Sequence, residues 1–293
     1  MSLPAAVLSA VTAATRAKPD SWRHVVAGHT HAEKWVVEFA DGRCVFVKAA
    51  TEPSARAQVE REAAILESVA ATYMPYVYGA STIDSWSVLV LEDLSRARWP
   101  PPYDDRGEAL LESVKQVAAT TPPPGLRRRP EGRPFGTYWQ RIADHPEPVL
   151  GHGLFSATWL EKAQPILHSA ESSAQLAGSD FLHDDVWAGN VCYAERGAIL
   201  IDWASATVGD SRVDLAYALL SIRSAGAAPP PVEFPDEAAY AALLAGANAF
   251  QAAQPVDESI KHESELRAGW LHDLEYALEW ACKLLELPPP REN

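Results

Sequence analysis

Hydrophobic and polar positions change their rhythm part-way along the chain. After an Ala-rich opening that reads as a short helix, the runs "SWRHVVAGHT", "KWVVEFA" and "RCVFVKAA" are rich in Val, Phe and Trp. Turn chemistry such as Asp41-Gly42 separates them, which predicts a small antiparallel sheet. Residues 54–70 follow Pro53-Ser54 as a capped helix would, with Ala57, Ala64, Ile65 and Val69 near one face. "YVYGAS" and "WSVLVLEDL" return to strand patterns, and the sheet is expected to end near Leu94. From there the periodicity predicts helices at 106–120, 137–144, 155–176, 212–224, 236–252 and 259–286. Prolines clustered at 100–102, 122–124, 229–231 and 288–290 mark connectors, because proline lacks an amide hydrogen and fixes φ. Strands first and helices afterwards give an α+β layout, with one lobe over 1–94, a second over 95–293, and a junction near 92–96.

Composition narrows the class. With 293 residues, 47% apolar and 22% charged, the chain has enough apolar surface for a folded globular protein. Its formal charge of −14 disfavours attraction to phosphate backbones, so nucleic acid is not expected as a partner. An acidic surface suits a cationic ligand, but solubility alone is the simpler reading. Cys44, Cys192 and Cys282 are odd in number and far apart, without a C-x-x-C pair, which points to a reducing compartment and hence the cytoplasm. The first 15 residues are uncharged, yet no basic segment precedes them, and Pro4, Ser9, Thr12 and Thr15 interrupt the apolar run, so a signal peptide is not expected. No apolar run approaches the ~18 residues of a membrane span.

The stretch "FLHDDVWAGN" carries the candidate chemistry. Asp185 and Asn190 are separated by four residues, and Asp202 follows at the end of the strand-like "GAILI". One carboxylate to take or orient a hydroxyl proton, with an amide oxygen and a second carboxylate as hard ligands for magnesium, is an arrangement for phosphoryl transfer. Such a site needs a cation for the nucleotide phosphates and a carboxylate to hold that cation. Lys48 in "CVFVKAA" is read as the only lysine within an apolar strand pattern, and Glu62, fourteen residues on, precedes "AAIL" and suits an inward face. Glu60 is the competing partner.

At this point the chain resembles the aminoglycoside phosphotransferase-like, or choline-kinase-like, small-molecule kinases, which share the two-lobed protein-kinase fold. The resemblance spans nearly the whole chain, through "CVFVK", "EREAAILE", "SVLVLEDL", "HDDVWAGN" and "ILIDWASATVGDSRVDLAYAL"; "VWAGN" also looks like the fructosamine-kinase branch. It implies ATP and Mg²⁺ as cofactors bound in the lobe cleft. Lys48 would bind phosphates and Glu62 orient it, while backbone groups of Glu92, Asp93 and Leu94 would meet the adenine. Asp185 would be the catalytic base, Asn190 and Asp202 the magnesium ligands, and His183 and Asp214 structural supports of the loop. Two departures stand out. Position 184 is Asp where the family usually has Gly; Asp184 is read by default as solvent-facing, or else as tuning Asp185 or binding a cationic substrate. The phosphate loop "VVAGHTHAEKWVV" holds one glycine, Gly28.

The acceptor is less legible. In the last helix, Leu266, Trp270, Leu274, Ala277, Leu278, Ala281 and Leu285 fall at core spacing. Trp270, Asp273 and Tyr276, with Glu275 and Glu279, offer the alternative of an aromatic and acidic lining for an amino sugar. Residues 229–293 carry twelve acids against four bases, which favours a cationic small-molecule acceptor. Against it stands "GLRRRPEGRPFGTYWQR", with Arg127, Arg128, Arg129, Arg133 and Arg141, read first as a solvated loop and second as a lid over an anionic acceptor or nucleotide phosphates. The leading acceptor is an aminoglycoside, amino sugar or related sugar. The alternatives are a fructosamine- or choline-like metabolite kinase, and a nucleotide-binding pseudokinase acting through a protein partner. A protein acceptor is not expected, because "GDSRVDLAYAL" follows Asp202 too closely for a peptide-binding segment.

Overall fold

The computed structural model describes residues 2–26, 28, 31–130, 137–256 and 262–290. In chain order they form α1 (Ala5–Thr15), β1 (Pro19–His24), β2 (Glu33–Phe39), β3 (Cys44–Ala50), α2 (Pro53–Val69), β4 (Val77–Ile83) and β5 (Trp86–Glu92). There follow α3 (Glu108–Ala119), α4 (Tyr138–Asp144), α5 (Glu147–Leu150), α6 (Ala157–Ser173), β6 (Asp180–Leu182), β7 (Val191–Ala194), β8 (Gly197–Leu200) and β9 (Thr207–Gly209). The last three elements are α7 (Arg212–Ser224), α8 (Glu237–Ala252) and α9 (Glu263–Leu284). No described helix is long and apolar enough to cross a membrane.

The chain divides into two units. The first comprises Met1–Pro102, Pro123–Gly125 and Gly189–Ala206; the second comprises Tyr103–Pro122, Leu126–Ala188 and Thr207–Asn293.

In the first unit five antiparallel strands run in the order β1-β2-β3-β5-β4. Alternation along β3 sorts its side chains. Val45 and Val47 join Val37, Val88 and Val90 in a core closed by Val7 and Val11 of α1, whereas Lys48 emerges on the other face toward α2. The residue that caps α2 is Glu52, whose carboxylate accepts the amides of Ser54 at 3.0 Å and Ala55 at 2.9 Å, with Pro53 in the first turn. β1 stops at His24, short of the expected Thr30; Gly28 follows at φ +74°, and residues 27, 29 and 30 lie outside the described ones. The β7–β8 hairpin belongs to this unit, and Arg98 and Tyr193 exchange backbone hydrogen bonds at 2.9 and 3.2 Å.

The second unit is built around α4, α6, α7, α8 and α9. Trp139, fully buried, donates to the carbonyl of Ala242 at 2.8 Å. It can approach α8 because position 246 is glycine: a Cβ there would lie 2.9 Å from the indole nitrogen. Glu171, also fully buried, accepts the amides of Tyr138 and Trp139 and so caps α4 from a neighbouring helix. β6 and β9 pair in a short antiparallel ladder. Strands β6, β7 and β9 were not expected from the sequence, since three or four residues show no readable alternation. Of the helix expected at 259–286, residues 259–261 lie outside the described residues.

Candidate active site

In the first unit, Lys48 and Glu62 meet. The Lys48 ammonium donates to both Glu62 oxygens at 2.8 Å, and both side chains are buried. Glu60, the competing carboxylate, instead accepts from the Ser87 hydroxyl and from Arg56. Burial alone would pull Lys48 down, but Glu62 and Asp202 outweigh it and hold the ammonium above the ordinary lysine range. Burial pushes the Glu62 carboxyl up, and the Lys48 charge pulls it back. Asp202 Oδ1 lies 3.4 Å from Lys48 Nζ, with its side chain 37% exposed. Asp202 sits just past β8 at φ +65°, a left-handed conformation that side-chain-bearing residues seldom adopt. The Ile201 amide donates to the Asn190 carbonyl at 2.9 Å, so the base of the β7–β8 hairpin brings Asn190 beside the segment that ends in Asp202. The donors there, an amide oxygen and a carboxylate, are the hard oxygens that magnesium prefers.

Glu92, Asp93 and Leu94 leave β5. The Glu92 carboxylate accepts from Arg196, in the β7–β8 turn, and from the amide of Tyr76. Asp93 folds back on the Ser95 amide and hydroxyl at 3.1 and 2.8 Å. The Leu94 carbonyl accepts from the Trp99 indole at 2.9 Å.

In the second unit, His183, Asp184 and Asp185 follow β6. His183 is fully buried. Its amide donates to Asp214 Oδ2 at 2.6 Å, and the amide of Asp184 donates to Asp214 Oδ1 at 2.9 Å. Asp214 lies in the first turn of α7 and is buried; that burial, reinforced by the charge of Asp184, raises its carboxyl to about 7. Asp185 is half-buried. The default expectation for Asp184 is overturned. Its side chain is 11% exposed and forms an ion pair with Arg129, while the Thr207 hydroxyl donates to Oδ2 at 2.8 Å. The reason lies in the backbone: at φ +66° the chain turns the side chain inward over β9. Arg129 accordingly does not belong to a solvated loop, and Arg133 lies outside the described residues.

The α9 candidates divide. Tyr276 packs against the helical core and meets the His272 ring edge-on at 5.1 Å. Asp273 is raised by burial and bonded by Ser224 of α7. Trp270 is half-buried. The sequence reading missed Lys34. It lies on β2, directly opposite Lys48, and is itself buried, so Lys48 is not the only lysine within an apolar strand. It was obscured because it opens the run "KWVVEFA", where a charge looks terminal. Arg129 was also missed as a partner, since nothing in sequence spacing joins it to Asp184.

A family profile described as the phosphotransferase enzyme family (APH) matches residues 22–234. No curated protein matches the chain significantly. Similar solved structures include a thermostable mutant of the aminoglycoside phosphotransferase APH(4)-Ia in a ternary complex with ADP and hygromycin B (12% identity, 96% of this chain and 98% of that chain, TM-score 0.53). Choline kinase LicA from Streptococcus pneumoniae is similar at 12% identity, over 93% of this chain and 97% of that chain, with a TM-score of 0.54. A macrolide 2′-phosphotransferase from Brachybacterium faecium matches at 16% identity, over 98% and 99%, with a TM-score of 0.52. At these identities the likeness establishes the fold, which is protein-kinase-like.

Proposed function

The chain belongs to the phosphotransferase enzyme family, and from that premise we propose that it transfers the γ-phosphoryl group of ATP, with Mg²⁺, to a hydroxyl of a small polar molecule. The leading acceptor class is an aminoglycoside, amino sugar or related sugar, with a cationic one favoured by the twelve acids against four bases over residues 229–293. The observation that carries the reading is the buried Lys48–Glu62 pair with Asp202 3.4 Å from the same ammonium. A buried ion pair costs desolvation that a pair of apolar residues would not, so its presence beside a half-exposed carboxylate points to a site in use.

In this reading Glu62 fixes the Lys48 ammonium, which contacts the α- and β-phosphates. The backbone at Glu92, Asp93 and Leu94 meets the base. Asn190 and Asp202 would hold the metal through their oxygens, and Mg²⁺ bound with ATP supplies neutralisation of charge on the transferring group. Asp185 takes or orients the proton of the acceptor hydroxyl. His183 and Asp214 support its loop, and Trp270, Asp273 and Tyr276 of α9, each half-buried, contribute to the acceptor side. Asp184, taken up by Arg129 and Thr207, is left out of acceptor recognition. We place the activity in the cytoplasm, where ATP is at hand and the cysteines stay reduced.

Slow metal-dependent hydrolysis of ATP in the absence of acceptor tests the transfer machinery apart from the choice of acceptor. The expected result is measurable ADP release that needs Mg²⁺ and is lost in Asp202→Ala. ATP binding with no hydrolysis, and no loss of binding in that variant, would favour a nucleotide-binding pseudoenzyme.

A further inference from the structure

Asp184 stands immediately before the proposed base in a conformation that costs energy. At φ +66° a residue with a Cβ is strained where glycine would be at ease, and it persists there only when its surroundings hold it. Those surroundings are specific. Arg129 Nε donates to Asp184 Oδ2 at 3.1 Å and a second guanidinium nitrogen binds Oδ1. The Thr207 hydroxyl adds a bond to Oδ2, and Asp214 accepts the Asp184 amide.

Arg129 is itself fixed from behind. The Val208 amide donates to the Arg127 carbonyl at 2.9 Å and the Arg129 amide to the Val208 carbonyl at 2.8 Å, so residues 127–129 are held against β9 by a single parallel bridge. The aliphatic part of Arg129 crosses β9 at Gly209, where a Cβ would come within 3.1 Å of Arg129 Cδ. The fork therefore arrives at Asp184 already ordered, which suits arginine's planar, two-point recognition of a carboxylate.

We propose that Arg129 is a positioning residue for phosphoryl transfer: by gripping the Asp184 carboxylate it fixes the left-handed turn from which Asp185 projects. The proposal rests on the function proposed above, in which Asp185 is the base. It does not give Arg129 any contact with nucleotide or acceptor. Removing Arg129 leaves a strained residue whose mostly buried carboxylate keeps the Thr207 hydroxyl but has lost its counter-charge, and the loop relaxes to expose that charge. Removing the carboxylate as well takes away the reason for relaxation, and glycine at 184 accepts the backbone angle without strain.

The test uses the full chain and five proteins: wild type, Arg129→Met, Arg129→Lys, Asp184→Gly and the double variant Arg129→Met with Asp184→Gly. Amide exchange is followed in peptides spanning residues 181–190, alongside kcat and the KM for ATP. Arg129→Met is expected to speed exchange in that segment and to lower kcat about 100-fold, the scale of a misplaced catalytic group, with little change in KM. Arg129→Lys recovers part of the loss, since it restores charge without the fork. In the Asp184→Gly background, Arg129→Met has no further effect on exchange or kcat.

Unchanged exchange and kcat in Arg129→Met would overturn the proposal. So would an equal penalty in the glycine background, which would mean that Arg129 acts through something other than Asp184. Should Arg129→Met fail to fold, the comparison of Asp184→Gly with the double variant decides: equal behaviour supports the grip, and collapse of the double variant refutes it. If the wild type transfers phosphate to no acceptor, the proposed function fails, while the exchange arm still decides whether Arg129 holds the loop.

Discussion

At the scale of single residues, Asp214 sets a measurable pH dependence. Its carboxyl loses a proton near 3.8 in the unfolded chain and at about 7 in the folded one, because burial and the neighbouring charge of Asp184 oppose ionisation. Between those values the folded state holds more protons than the unfolded state, so stability falls as pH rises through this window and levels off above about 7. The loss amounts to at most about 4 kcal/mol. Urea unfolding of wild type and Asp214→Asn from pH 4 to pH 8 is expected to show this decline in the wild type and a flatter profile in the variant; parallel profiles would contradict the assignment. The pairing of Lys48 with Glu62 was legible because an inward lysine on an apolar strand needs a counter-charge, and the next helix offered Glu62 on its buried face. The fate of Asp184 was not legible. It depends on a positive φ and on an arginine 55 residues away, neither of which leaves a local pattern.

At the scale of elements, long periodic segments were readable and short ones were not. α2, α7 and α8 lie close to their expected ranges, since each offers a face of small or aliphatic residues over three turns or more. The hairpin β7–β8 shows what was hidden. Only the "GAILI" strand was expected, yet its partner β7 and the turn at Arg196 tie this late segment to β5. Arg196 donates to Glu92 and to the carbonyls of Thr72 and Met74, and its guanidinium lies 4.2 Å from the Tyr76 ring centroid. Because Asn190 immediately precedes β7 and Asp202 lies two residues past β8, this clamp joins the segments bearing the proposed metal ligands to the segment proposed to meet adenine. Arg196→Ala is expected to lower stability by about 1–3 kcal/mol, read as a lower urea midpoint at unchanged slope, since several partly buried acceptors lose their donor together. An unchanged midpoint would show that the clamp carries no weight.

At the scale of the whole molecule, the order of elements was enough for the α+β class, because the five-stranded sheet precedes most of the helices, even though the short strands β6–β9 fall between α6 and α7. What order could not convey is that Gly189–Ala206 packs with the N-terminal strands. That return follows from the pairing of Arg98 with Tyr193 and of the Tyr73 carbonyl with the Leu200 amide, which are long-range backbone bonds without a sequence signature. The acid excess over residues 229–293 bears on the acceptor rather than the fold, and it leads the proposal toward a cationic sugar. The most direct measurement is ADP release with ATP and Mg²⁺ across aminoglycosides, amino sugars, glycated amines, choline and simple sugars, run beside Asp185→Asn. The account predicts acceptor-dependent release that falls by about 10²–10⁴ in the variant, as expected for loss of a catalytic base. Acceptor-dependent release that persists undiminished in Asp185→Asn would contradict it.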